Sequence, residues 1–159
     1  MTTTNLDALD KAILAALLAD GRQSQVDLAE RVPLSPTAIA RRIRALEERG
    51  VISGYQARIN RTSLGLTMMA VVQISLKSQS EDLLAAFEKA AAAAPSITSC
   101  HMMSGEDDYI ITVLAHDLED FERIHKEQLS RLPGVARLRS SFVLREVVSR
   151  PLPLASLAR

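Results

Sequence analysis

Two prolines and a glycine, Pro33, Pro36 and Gly50, fix what the first third of this chain can become. In "VPLSPTAIARRIRALEERG", residues 32–50, Pro33 ends any preceding helix, because its ring removes a donor and clashes with the previous turn. Ser35-Pro36 starts the next one, with a capping hydroxyl followed by proline at the first helical position. Gly50 closes it. Upstream, Leu6, Leu9, Ile13 and Leu17 recur at helical spacing and predict a helix over residues 6–20, ended by Gly21. Ser24 caps a short second helix whose buried side is Leu28 and Val32. Helices this short are not stable alone, so the three must pack together. "VISGYQARIN", residues 51–60, then predicts one or two short strands around a turn at Ser53-Gly54. This order outlines a winged helix-turn-helix.

The third helix carries the charge that matters. Successive helical residues step by about 100°, so Ile39, Ile43 and Leu46 share a narrow arc that faces the core. Thr37, Arg41, Arg44 and Glu48 lie opposite, flanked by Ala38 and Ala45. Between residues 35 and 46 there are three arginines and no acid. A solvated charged face would explain the arginines. It would not explain the missing acids or the two capped helices just before. Early positions of such a helix reach base edges in the major groove and later ones reach phosphates. Thr37, Ala38 and Arg41 are therefore expected near bases, beside the helix start at Ser35 and Pro36. Arg42, Arg44 and Gln25 are expected near phosphates.

Past Leu64-Gly65 the pattern changes. Strands are predicted over 68–76, 97–104, 109–115 and 135–148, and helices over 81–94 and 117–132. The order β-α-β-β-α-β is that of the ferredoxin-like split unit, an antiparallel sheet with both helices on one face. The whole chain is thus α+β, with a winged helix-turn-helix over 1–61 and a ferredoxin-like domain over 62–159. In the strand at 109–115, Tyr109, Ile111 and Val113 lie on one face and Ile110, Thr112 and Leu114 on the other. Two helices cover only one face. The other must meet a second chain or stay as an exposed apolar patch, so a homo-oligomer is expected.

Composition narrows the class further. Net charge is zero, yet residues 1–61 hold 9 Lys and Arg against 7 Asp and Glu, and residues 62–159 hold 10 against 12. No apolar run reaches the roughly 18 residues of a membrane span, and the N-terminus lacks the basic-then-apolar pattern of a secretory signal. The lone Cys100 excludes an intrachain disulfide and is expected to be a small buried side chain. A cytoplasmic protein with no membrane partner is expected. The tail "SRPLPLASLAR" shows no clear period; fraying and docking on a neighbour both fit it.

"MMSGEDDYIITV", residues 102–113, holds three consecutive acids, Glu106, Asp107 and Asp108. No further acids stand at calcium-loop spacing, and His101, His116 and His125 are unpaired, so no metal site is expected. Neighbouring strand residues point to opposite faces, which disfavours an acid/base pair. No nucleophile triad or phosphate loop is evident, so the chain reads as a non-enzyme without a cofactor. A hairpin turn at Gly105 and a ligand grip both remain consistent with these residues.

The stretch "LDKAILAALLADGRQSQVDLAERVPLSPTAIARRIRALEERGVISGYQARIN" resembles the N-terminal domain of the Lrp/AsnC (leucine-responsive/asparagine-responsive) transcription regulators. "CHMMSGEDDYIITV" and "LSRLPGVARLRSSFVLREV" resemble that family's C-terminal effector domain. The resemblance covers nearly the whole chain in the correct order. It implies a regulator that binds double-stranded operator DNA as a homodimer, commonly assembled to an octamer, with a small effector, an amino acid or related metabolite, between dimers. Gly105, Asp108 and Tyr109 match the family's Gly-Asp-x-Asp-Tyr pattern; Glu106 stands where aspartate is usual, and Asp107 takes the variable place. The resemblance implies that Met102, Ser104, the loop through Tyr109, and Ser141, Phe142 and Val143 line the effector cleft. The exposed backbone at Gly105 would hold the effector carboxylate and Asp108 its ammonium. Pro33 also departs from the family, which usually has glycine there. Two other readings stand beside this one: an amino-acid-sensing module of metabolism, which would not need the arginine helix, and an architectural DNA binder without an effector.

Overall fold

The computed structural model describes residues 5–153; residues 1–4 and 154–159, including the last part of the tail, lie outside the described residues. The chain divides into two compact units. Among the described residues, one holds 5–58 together with 148–153, and the other spans Ile59–Val147.

In the first unit, α1 (Ala8–Ala19), α2 (Gln25–Ala29) and α3 (Pro36–Glu48) form a helical cluster. Each begins at a side-chain cap: Asp7 accepts from Asp10 N–H, Ser24 from Asp27 N–H and Ser35 from Ala38 N–H. At Ser24 the Asp27 carboxylate also reaches back, completing a capping box. The core is Ile13, Leu28, Val32 and Ile39, with Leu9, Leu17 and Ile43 packed around it. Fully burying an aliphatic side chain such as Ile13, Leu28 or Ile39 contributes about 1.5–3 kcal/mol, offset in large part by the entropy of ordering the chain. α3 ends in a Schellman turn: Val51 N–H donates to Leu46 O, Gly50 N–H to Glu47 O, and Gly50 takes φ 68°.

One local expectation changes, and the departure at Pro33 is accommodated. Residues 51–60 form no strand, although Tyr55 and Ile59 have strand character. Val51 and Ile52 spend their N–H groups on Leu46 O, at 2.8 and 3.2 Å, and the following residues find no ladder partner. At Pro33 the chain turns without any left-handed residue, since no non-glycine residue described has positive φ. Leu34 N–H instead donates to Val32 O at 2.7 Å, a three-residue turn compatible with proline's fixed φ near −65°.

The second unit is built on β1 (Met68–Leu76), α4 (Glu81–Ala93), β2 (Ile97–Met102), β3 (Tyr109–Ala115), α5 (Leu118–Glu127) and β4 (Val135–Phe142). The sheet order is β2-β3-β1-β4, all antiparallel, as in the ferredoxin-like unit. One face carries Ala70, Val72, Ile74, Tyr109, Ile111, Val113 and Ala115, buried under Phe87 and Ala91 of α4 and Phe121 and Ile124 of α5. The register places Met69, Val71, Ile110, Thr112 and Leu114 on the opposite face, where they are only half-buried. β4 stops at Phe142, short of the predicted 148: the ladder with β1 ends at the Ala70–Phe142 pair, followed by one last bond from Val143 N–H to Met69 O, near the start of β1 at Met68. α5 gives way to a 3-10 turn at Leu129–Arg131. Cys100 is exposed, contrary to the sequence expectation, because β2 is an edge strand.

Candidate functional site

The amphipathic arc read from the sequence decides which way α3 faces. Ile39 and Leu46 are fully buried, and Ile43 packs beside them. Thr37, Arg41 and Arg44 are therefore exposed, as are Ser35, Pro36 and, on α2, Gln25. Ala38 is half-buried, so the start of the helix presents little bulk. This surface has the chemistry of a major-groove reader: guanidinium forks for guanine or phosphate and a small apolar side chain for a thymine methyl.

Arg42 departs from the expected role. Its Nη1 donates to Asp10 Oδ1 at 2.7 Å and to Asp7 Oδ2 at 2.8 Å, both on the α1 side of the head. Asp10 is 6% exposed, and its other oxygen lies 4.0 Å from Arg49 Nη1. Asp7 is also the cap of α1, and its carboxyl is held below the ordinary range. The Asp10 backbone N–H is the chief cause, opposed by some burial and reinforced by Arg42. The three-arginine run thus splits: Arg41 and Arg44 face outward, and Arg42 joins the fold.

In the second unit the loop between β2 and β3 is held by its own acids. Asp107 accepts from Ser75 Oγ at 3.1 Å and from Arg139 Nη2 at 3.0 Å, with Arg137 Nη2 3.5 Å away. Burial pushes its carboxyl up, but the Ser75 hydroxyl and the two guanidiniums outweigh this and hold it below the usual value. Asp108 accepts from Leu76 N–H and from Gln79 Nε2, each at 2.6 Å. Each Asp108 oxygen thus already accepts one hydrogen bond from within the chain. Tyr109, expected to line the cleft, is 1% exposed within this chain, with its ring 4.4 Å from that of Phe87 and its hydroxyl donating to Glu88 at 2.8 Å. Burial first, then Glu88, pushes that hydroxyl up to about 12.

What the loop offers outward is Ser104, Gly105 and Glu106, with Met102 at the end of β2, all exposed. Glu106 has one long contact, 3.5 Å to Arg137. Gly105 has an ordinary φ, and a Cβ there would meet nothing within 4 Å. Its backbone is open without glycine being required by the turn. Ser141, Phe142 and Val143 are not beside the loop within this chain. Ser141 pairs with Val71 and Val143 N–H donates to Met69 O, whereas the loop adjoins Ile74 and Ser75. Phe142 packs edge-on against Phe121. The residues that do flank the loop are Arg137 and Arg139. Their i, i+2 spacing in "ARLRS" was the available signal, since it places both on one face of a strand. Among the described residues no cluster of three or more His, Cys, Asp or Glu could hold a metal ion, and no helix is long and apolar enough to cross a membrane.

The two units define a DNA-binding transcriptional regulator with a separate ligand-binding domain. Residues 69–153 match the family model described as the Lrp/AsnC ligand binding domain, and residues 6–53 match a winged helix-turn-helix DNA-binding model. The chain is 42% identical to the Bkd operon transcriptional regulator of Pseudomonas aeruginosa, over 93% of this chain and 97% of that one. It is 37% identical to the proline dehydrogenase transcriptional activator of Rhodobacter capsulatus, over 95% and 98%. A solved structure of a Neisseria meningitidis transcriptional regulator in complex with L-methionine superposes with a TM-score of 0.90 at 33% identity, covering 96% of this chain and 99% of that one. The chain belongs to the Lrp/AsnC family of transcriptional regulators.

Proposed function

We propose that this regulator binds operator DNA as a homodimer, assembles further to an octamer, and responds to an amino acid or related metabolite at the loop of residues 104–106. It acts in the cytoplasm by binding alone and catalyses no reaction. The observation that carries the DNA reading is the exposed Thr37–Arg41–Arg44 face on a helix capped at both ends. The half-buried outer sheet face, with Met69, Val71, Ile110 and Leu114, supports pairing of two chains. A relative of the same fold binds L-methionine, which supports an amino acid as effector. An amino acid needs donors for its carboxylate and an acceptor for its ammonium. Open backbone at Gly105 and the loosely held Glu106 fit those needs better than Asp108 does.

The test is a thermal-shift screen of the purified protein against the amino acids, L-methionine included, because a ligand bound only by the folded state raises the melting temperature. A concentration-dependent rise with one or a few of them is expected. A second reading has one observation behind it: Asp107 and Asp108 are already satisfied within the chain, so the loop is built without an effector. A complete blank in the screen would favour that architectural, effector-independent DNA binder.

A further inference from the structure

The Arg42 nitrogen that bridges two carboxylates does so across the helical head. It starts from the middle of α3 and ends on Asp7 and Asp10, at the beginning of α1. Asp7 is a helix cap and Asp10 is almost wholly buried, so neither carboxylate is on a mobile stem. Arg49, at the end of α3, adds a second tie, donating from Nη2 to Asn5 O at 2.7 Å while its Nη1 lies 4.0 Å from Asp10. The aliphatic core alone allows α3 to roll about its axis, because apolar contacts are non-directional. A charge-assisted hydrogen bond fixes direction as well as distance. Rolling α3 would turn Thr37 and Arg41 away from their targets, and base readout tolerates little error in aim.

We propose that Asp7 and Asp10 are positioning residues for DNA recognition: through Arg42 they lock the roll of α3, so that Arg42 serves the aim of the helix rather than binding a phosphate. The inference rests on the DNA-binding reading. It also makes a prediction opposite to simple electrostatics, since removing an acid from a DNA-binding head should by charge alone tighten binding.

The test uses the full chain, a duplex that the wild-type protein selects from a randomised library, and a scrambled duplex of equal length. Asp10→Asn and Asp7→Asn are measured beside Arg42→Met, across a salt series. Asparagine still caps a helix, so Asp7→Asn keeps α1 intact. About tenfold weaker binding to the selected duplex is expected for all three, while affinity for the scrambled duplex is undiminished, and equal or tighter for the two Asp→Asn variants. Circular dichroism melts of each variant certify a folded head; if Asp10→Asn is unfolded, the milder Asp7→Asn decides. For Arg42→Met the slope of log affinity against log salt should stay at the wild-type value. A slope smaller by about 0.9 would mean that Arg42 neutralises a phosphate, and would overturn the proposal. Equal or tighter binding to the selected duplex by Asp7→Asn would overturn it too. If the wild-type protein enriches no sequence at all, the reading of α3 as a sequence-specific reader fails, and the proposal with it.

Discussion

Arg139 Nη2 lies 3.0 Å from Asp107 Oδ2, so a guanidinium on the edge strand β4 fastens the loop that precedes β3. The link crosses β1, whose Ser75 donates to the same carboxylate. Asp107→Asn should therefore lower the melting temperature at neutral pH. Because the Asp107 carboxyl is held below its ordinary value of 3.8, its contribution is complete above that value. It is lost as the pH falls through the lower native value. Melts across an acid series check this: the gap between wild type and variant should close in acid, and a gap that persists unchanged would contradict it.

Tyr109 gives a second, alkaline signature. Its hydroxyl titrates at about 12 in the native protein against 10.0 ordinarily. The stability it adds is complete below the unfolded value and lost as the pH rises toward the native one. Ultraviolet titration should show a tyrosinate signal delayed to about pH 12 that Tyr109→Phe abolishes. The same variant should cost about 1 kcal/mol at neutral pH, the usual worth of a hydrogen bond whose partner, Glu88, is left behind exposed.

Two glycines should behave oppositely. Gly134 has φ 72°, and a Cβ there would come 2.6 Å from both Leu83 methyls. Gly134→Ala should destabilise the protein by about 1–3 kcal/mol, from backbone strain and overpacking together. Gly105→Ala should change stability by less than about 0.5 kcal/mol. It should nevertheless reduce the thermal shift given by the effector, because the new methyl covers the open backbone. Denaturant melts of both variants, with and without that amino acid, check the pair.

Much of this was legible in the sequence, and the exceptions share a cause. The caps at Ser24 and Ser35, the stop at Gly50 and the buried arc of Ile39 and Leu46 are local, and local chemistry dictated them. The βαββαβ order followed from periodicity in the same way. What periodicity could not show was who partners whom across the chain. Arg42 looked like a third outward arginine until Asp7 and Asp10, more than thirty residues earlier, took its Nη1. Asp108 looked unpartnered, yet Leu76 N–H and Gln79 Nε2 each bond one of its oxygens. Tyr55 and Ile59 had strand character but no strand beside them. Cys100 had a core-like neighbourhood in sequence and an edge position in space.

The central claim is that α3 reads DNA through its outward face, and Arg41 tests it most directly. Arg41 is exposed on the side opposite the buried Ile39 and beside the exposed Thr37. The measurement is a gel-shift titration of wild type and Arg41→Ala at fixed salt, on a duplex selected by the wild-type protein, with oligomer size followed by light scattering. A loss of about 1–3 kcal/mol in affinity for the selected duplex, with oligomer size unchanged, is the predicted result. Unchanged affinity would remove Arg41 from the interface and contradict the account.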